Sequence, residues 1–379
     1  MTATAVLRSV VRALALAGVV VTAACSPARF LEASRVLADI DAGFAPSTLK
    51  ETTPKPSRNP VAFSVDGRPR AGDLYIPGAR AEAGLVLVPG ITREGRDDPR
   101  LIAFANTLSR ARFEVLVPDL PNLSALKVSA DDTGALADAV RFFDDRPTGA
   151  RLGVAAISYA VGPAVAALFE DGADARVDFV VAIGGYYDIE ATITFFTTGH
   201  YRPQGSRAWR HRPPNDYGKW VFVRSNVDRL ESAADRTTLW AMAERKLDDL
   251  QADVSDLAAR LGAEGHSVYA LLLNDAPDRV PALIAALPTA VAAEIARLDL
   301  RRLPLERLDV RFLLVHGRDD PIIPETESAA LAAAVGAGRA RLYLVDSLDH
   351  VHPKPAGWMD RLVLLRAIAE LLKIRDEGA

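Results

Sequence analysis

Short apolar runs alternate with amphipathic stretches along most of this chain. Leu85-Val-Leu-Val88, Phe113-Glu-Val-Leu-Val117, Phe179-Val-Val-Ala-Ile183 and Phe312-Leu-Leu-Val315 are rich in β-branched residues and end at Gly, Pro or His. Runs of this length and composition predict buried strands. The segments between them carry helix signals. Asp98-Pro99 supplies a cap and a first-position proline for a helix to about Ala111, and Ser129 is placed to cap another through Phe143. Buried strands separated by such helices predict a mostly parallel sheet covered on both faces, an α/β fold. Ahead of it, Val61-Ala-Phe-Ser-Val65 and Asp73-Leu-Tyr-Ile76, placed around Asp66-Gly67, predict an antiparallel hairpin.

The alternation fails in two places. Between Ile189 and about Leu305 no strand pattern recurs. Leu247, Leu250, Val254, Leu257 and Leu261 instead fall at spacings of three and four, which predicts one face of a long helix. Val280-Pro-Ala-Leu-Ile-Ala-Ala-Leu-Pro288 to Leu300 also reads as helical, so 190–304 is expected to be an α-helical insertion. Its first part interleaves Phe195, Phe196, Tyr201, Trp209, Tyr217, Trp220 and Phe222 with Arg202, Arg207, Arg210, Arg212 and Lys219. Such a segment packs its aromatics inward; a sharper reading has it touch anionic headgroups or acidic substrates. The second break is residues 25–60. After a short helix over Phe30 to Ile40 they become rich in Thr, Pro and Lys, which predicts an irregular tether.

Three residues carry the candidate chemistry. In Arg151-Leu-Gly-Val-Ala-Ala-Ile-Ser158-Tyr-Ala-Val-Gly162 an apolar strand runs into a serine and straight on into a helix-forming segment. A sharp strand–serine–helix turn is a nucleophile elbow, and it needs small residues two before and two after the serine. The familiar flanks are glycines; here they are Ala156 and Ala160. Downstream, Phe312-Leu-Leu-Val-His316-Gly317-Arg-Asp319-Asp320-Pro-Ile-Ile-Pro324 is a strand ending in a Gly-x-x-Asp loop. Arg341-Leu-Tyr-Leu-Val-Asp-Ser-Leu-Asp349-His350 is a strand ending in a histidine.

The order Ser, Asp, His, each just past a strand, resembles the α/β-hydrolase superfamily over roughly 61–190 and 305–379. The resemblance implies a core of 61–189 and 305–379 with 190–304 as its cap. It also implies a serine hydrolase, carboxylesterase- or lipase-like, that needs no cofactor. Ser158 would be the nucleophile, His350 the general base and Asp320 the residue that orients the imidazole. Backbone N–H groups of Ile91, after Pro89-Gly90, and of Tyr159 would form the oxyanion hole. Several neighbours compete. The Gly-x-x-Asp spacing selects Asp320 over Asp319, which reads as a solvated carboxylate. Asp188 follows the preceding strand, where some relatives of that superfamily place their acid. His352 could replace His350 if the strand ends later. His316 reads as structural, and Asp349-His350-x-His352 lacks the further ligands of a metal site.

Composition bears on the address. The chain is 49% hydrophobic with a net charge of −4, which gives no electrostatic basis for nucleic-acid binding. Arg8 and Arg12 precede Ala13-Leu-Ala-Leu-Ala-Gly-Val-Val-Val-Thr-Ala-Ala24, and the single cysteine, Cys25, follows directly. A positive segment, a short apolar core and small residues at the cut describe a signal peptide over 1–24. Cysteine at the cut resembles a bacterial lipobox, with Thr22 where leucine is usual. It implies a lipidated Cys25 and a membrane-anchored protein of the cell envelope, facing the periplasm or exterior. The functional expectation is a tethered hydrolase of small-molecule or lipid esters. Its rival is a catalytically silent envelope lipoprotein with the same fold, acting by binding.

Overall fold

The computed structural model of the protein describes residues 26–144, 146, 151–170, 172–350, 352–353 and 356–377; the signal segment 1–24 and Cys25 lie outside them. The strands are β1 (Ser57–Val65), β2 (Arg68–Ile76), β3 (Ala83–Val88), β4 (Phe113–Pro118), β5 (Arg151–Ile157), β6 (Phe179–Ile183), β7 (His200–Tyr201), β8 (Arg210–His211), β9 (Arg311–Gly317) and β10 (Ala340–Val345). Eight of them form one sheet in the order β1-β2-β4-β3-β5-β6-β9-β10. The first two pairings, β1 with β2 and β2 with β4, are antiparallel, and the rest are parallel. The α/β expectation holds.

Each strand divides its side chains between two apolar layers, as period-two geometry requires. Val86, Val88, Leu116, Val154 and Ala156 face one layer, which runs on into the 190–304 insertion. Leu85, Leu87, Val115, Val117 and Ala155 face the other, covered by the Pro99–Arg110 and Trp358–Asp376 helices. The central strands β3 to β6 are almost wholly apolar because neither face meets water, whereas the outer hairpin strand β1 is largely exposed. In the hairpin, Asp66 at φ 49° and Gly67 at φ 77° make the two-residue turn whose twist suits paired strands.

Four sequence expectations give way. Residues 27–56 are not a tether. They form the Pro27–Ala42 and Thr48–Thr52 helices, capped by Ser26 and Ser47. Ala33, Val36 and Leu49 join the second apolar layer beside Leu372 and Ile374. Arg375, wholly buried, makes a bidentate bond to Glu32 (2.6 and 3.0 Å) and donates to the Ala111 carbonyl (2.7 Å). Proline density misleads because Pro60 falls in β1, an edge strand, where a missing N–H costs no ladder bond.

The stripe from Leu247 to Leu261 is not one helix either. The Ala233–Asp248 helix stops at Asp249, and Asp253 accepts the Ser255 N–H to start the short Ser255–Ala258 helix. Aspartate side chains that bond the backbone two residues on favour turns over helix continuation. The stripe remains buried at Val254, Leu257 and Leu261. The segment from Val280 to Leu300 is likewise broken at Pro288 into Val280–Ala285 and Thr289–Leu298, bent by 120°. Finally, the helix expected from Ser129 begins at Asp132; the Ser129 hydroxyl accepts the Asp131 N–H (3.2 Å) in the turn before it and donates to Glu294.

A buried carboxyl joins the sheet to the helix that follows β9. Glu327 Oε2 accepts the N–H groups of Tyr187 (3.1 Å) and Asp188 (2.7 Å) in the loop after β6. Burial pushes its carboxyl up to about 8 from an ordinary 4.5. The native state therefore holds a proton that the unfolded chain has already lost, so stability falls as pH rises from about 4.5 towards 8. Glu327→Gln keeps the acceptor and removes the titration. Its melting temperature is expected to gain on the wild type steadily from pH 5 to pH 8, and parallel curves would refute a buried neutral carboxyl.

A second prediction concerns the amino-terminal helices. Arg375→Ala should cost about 2–4 kcal/mol, because it strips a buried, charge-assisted network. A chain beginning at Ser57 should lose far more. Unchanged thermal unfolding for both would restore the tether.

Candidate active site

The parallel strands β5, β9 and β10 end on the same edge of the sheet, and the candidate residues follow their ends. Ser158 comes directly after β5, opening a 3₁₀ turn that leads into the Val161–Ala166 helix. Its φ of 60° lies in the left-handed region, a strained conformation for a side chain larger than glycine. That strain is what the elbow requires. Ala156 and Ala160 are buried at the two flanks, where the familiar glycines would stand. A true glycine requirement lies further on: a Cβ at Gly162 would overlap the Tyr186 hydroxyl, which donates to the Leu298 carbonyl.

Ser158 Oγ stands 2.6 Å from His350 Nε2, and His350 Nδ1 stands 2.7 Å from Asp320 Oδ2. His350 is also left-handed, at φ 57°. Asp320 Oδ1 accepts the N–H groups of Ile322 (2.8 Å) and Ile323 (3.0 Å). Burial by itself would raise the Asp320 carboxyl. Attraction to His350 and donors from His316 and His350 outweigh that and hold it well below the usual carboxylate range. The three residues are therefore joined in one line, serine to imidazole to an ionised carboxylate.

The competitors lie elsewhere. Asp319 is exposed on the loop, with Arg212 at 3.7 Å. Asp188 caps the Ile189–Thr198 helix through the Ala191 N–H and pairs with Arg301 at 2.9 Å, so its oxygens are taken. The side chain of His352 lies outside the described residues. Ile91 sits one residue past Gly90, and a Cβ on Gly90 would lie 3.5 Å from Ile157 Cγ2. The exit loop of β3 thus runs beside the serine, as the pairing of Val88 with Ala156 requires. Among the described residues no acceptor takes the Ile91 N–H. The Tyr159 N–H lies in the first turn after the elbow, where helical partners are lacking.

Two residues named in the sequence for other roles, His316 as structural and Arg212 among the cations of the insertion, meet the loop that carries Asp320. His316 is wholly buried and reaches Asp320. Arg212, from the insertion, donates to the carbonyls of Asp320 (2.9 Å) and Arg318 (2.7 Å) and bonds the Tyr201 hydroxyl (3.0 Å). The Asn215 N–H donates to the Pro321 carbonyl (2.7 Å), so the insertion is laced to the acid loop. Arginine on an aromatic-rich segment suggested a headgroup contact; Arg212 is instead used internally. Phe195, Phe196, Tyr201, Trp220 and Phe222 are buried as the inward-packing reading expects. The insertion also closes over the elbow. A Cβ on Gly218 would touch Phe196 and the Tyr159 hydroxyl, and Ser158 is only 5% exposed.

No protein-family model and no curated protein sequence matches the chain. Solved structures do. A candidate hydrolase of Legionella pneumophila superposes over 90% of this chain and 94% of its own, with 13% identity and a TM-score of 0.55. A dienelactone hydrolase of Anabaena variabilis covers 86% of this chain and 99% of its own at 16% identity and a TM-score of 0.44. A 2,6-dihydroxy-pseudo-oxynicotine hydrolase covers 86% and 69% at 14% identity and a TM-score of 0.45. The first of these, with the mainly parallel eight-stranded sheet, establishes that this chain has the α/β-hydrolase fold.

Proposed function

We propose that the protein is a serine hydrolase that cleaves carboxylic esters through an acyl-enzyme on Ser158. The observation that supports it is the unbroken line Ser158 Oγ–His350 Nε2 (2.6 Å) and His350 Nδ1–Asp320 Oδ2 (2.7 Å) behind a left-handed serine. A serine hydroxyl is a weak nucleophile and needs a base in contact. His350 takes the proton as Oγ attacks the acyl carbon, and Asp320 stabilises the imidazolium that forms. N–H groups of Tyr159 and Ile91 receive the developing oxyanion, each worth ~3 kcal/mol in the transition state. The alcohol leaves with the proton from His350. Water then repeats the sequence on the acyl-enzyme and releases the acid. Every proton in this scheme moves through His350, so no cofactor enters.

Ser158 and His350 are both nearly covered, so the insertion has to open for an ester to enter. It acts as a lid, and the aromatic residues packed over the elbow bound an apolar acyl site. Anchorage at a lipidated Cys25 places the enzyme on a membrane of the cell envelope. The support is the arginine–apolar–small–cysteine order of residues 8–25.

A fluorophosphonate probe tests the nucleophile without knowledge of the substrate. Labelling of the wild type and none of Ser158→Ala is the expected result; an unlabelled wild type would leave the silent-lipoprotein reading in its place. Asp320→Asn should slow ester turnover by roughly 10⁴-fold through the wrong imidazole tautomer. Asp319→Asn and Asp188→Asn should change it less than tenfold, and Asp320→Asn combined with His350→Ala should be no worse than His350→Ala alone. Retained activity in Asp320→Asn would overturn the assignment of the acid.

For the anchor, Cys25→Ser should move the protein from the membrane to the soluble fraction or leave the signal uncleaved. Normal processing with unchanged fractionation would rule lipidation out.

A further inference from the structure

His316 is the penultimate residue of β9, four residues before Asp320, and both side chains are wholly buried. The loop after β9 curls back over the ring. His316 Nε2 lies 2.9 Å from the Ile323 carbonyl and 3.3 Å from Asp320 Oδ2, while Nδ1 lies 2.6 Å from Ser328 Oγ. A ring nitrogen that faces two acceptors has to carry the proton. In its neutral form the ring is therefore protonated on Nε2. Nδ1 then accepts from the Ser328 hydroxyl, which can donate or accept and so follows the tautomer that the two Nε2 partners set.

Asp320 is thereby surrounded by polar hydrogens. Oδ1 takes the Ile322 and Ile323 N–H groups and Oδ2 takes His350 Nδ1. His316 Nε2 stands 3.3 Å from Oδ2, its N–H shared with the nearer Ile323 carbonyl. The His316 contact falls on the same oxygen that holds His350, so it competes for the charge offered to the imidazolium and restrains rotation of the carboxylate. Removing it would leave Oδ2 more basic toward His350.

We propose that His316 is a positioning residue for the Ser158–His350–Asp320 line. Its Nε2–H, on a ring that Ser328 holds at Nδ1, sets the direction and effective basicity of Asp320 Oδ2. The proposal rests on the serine-hydrolase reading for its kinetic consequences and on the geometry alone for the hydrogen bond. Around Asp320 the other ionisable groups that act on it are His350 and the buried Tyr159 hydroxyl, and the Arg212 guanidinium binds its backbone carbonyl. None of these can replace a donor on Oδ2.

The test compares His316→Phe, which keeps a ring and removes both nitrogens, with His316→Gln, whose amide returns a donor near the Nε2 position. Ester turnover is measured across pH and expressed per serine titrated by the fluorophosphonate. His316→Phe is expected to lower kcat/KM per active serine on the order of 10–100-fold, the loss of one hydrogen bond to a buried charge. It should also move the acid limb of kcat/KM to higher pH, because a more basic Asp320 favours the protonated imidazole. His316→Gln should recover most of the rate and the original limb. A purely structural histidine would reduce the number of active serines and leave the rate per serine and the limb unmoved, which would overturn the proposal. So would a glutamine variant no better than phenylalanine.

If His316→Phe does not fold, ¹⁵N spectra of the wild-type imidazoles decide the same point. A neutral His316 ring protonated on Nε2 supports the proposal, and one protonated on Nδ1 overturns it. This measurement needs no activity. An unlabelled Ser158 would sink the hydrolase reading, and the spectra would still report whether the donor faces Asp320.

Discussion

A single buried carboxylate organises this end of the molecule. Asp320 has no exposed surface, and an ionised group in that position survives only if every acceptor site is filled. Three hydrogen bonds fill it, two from backbone N–H groups of its own loop and one from the imidazole after β10, with the His316 ring 3.3 Å from the same oxygen. The loop conformation, the orientation of His350 and the alignment of Ser158 all follow from satisfying that charge. Arg212 of the insertion ties the same loop from outside by its carbonyls, so the insertion and the sheet meet at the acid.

Strain is placed on the other two members. Ser158 and His350 both adopt left-handed backbone conformations that cost free energy for residues with a Cβ. Two packed layers hold them there. On one side the Val161–Ala166 helix follows the elbow without a loop and is pressed against Tyr186, where only glycine fits at 162. On the other, the Trp358–Asp376 helix is pinned by Arg375 to Glu32 of the amino-terminal helix. Stability far from the serine thus supports geometry at it, which explains why residues 27–56 are folded and not free to act as a spacer.

The insertion covers Ser158. Its aromatic residues belong to the same apolar layer as the inner face of the sheet, so displacing it would expose that surface. With Ser158 5% exposed, the proposed hydrolase would need that displacement to admit an ester.

Much of this was legible in the chain. Continuous apolar runs give the strands, because a sheet buried on both faces tolerates few polar positions; the run Phe179–Ile183 is β6 to the residue. The small flanks of Ser158 and the Gly-x-x-Asp spacing after β9 are local, steric demands, and a sequence carries those directly. The donor role of His316 was not legible. Only the loop's return brings Ile323 and Asp320 to its ring, and no periodicity records that closure. The tether over 25–60 was misread for a related reason: proline reports what the local backbone forbids, whereas the burial of Val36 and Leu49 depends on a helix more than 300 residues away. The Leu247–Leu261 stripe likewise marked burial correctly and helix continuity wrongly, since Asp249 and Asp253 end one helix and start another. Local sterics and burial periodicity were determined by the sequence itself; the meeting of distant polar groups was decided only by the tertiary structure, because the free energy of a buried charge depends on partners that chain spacing does not encode.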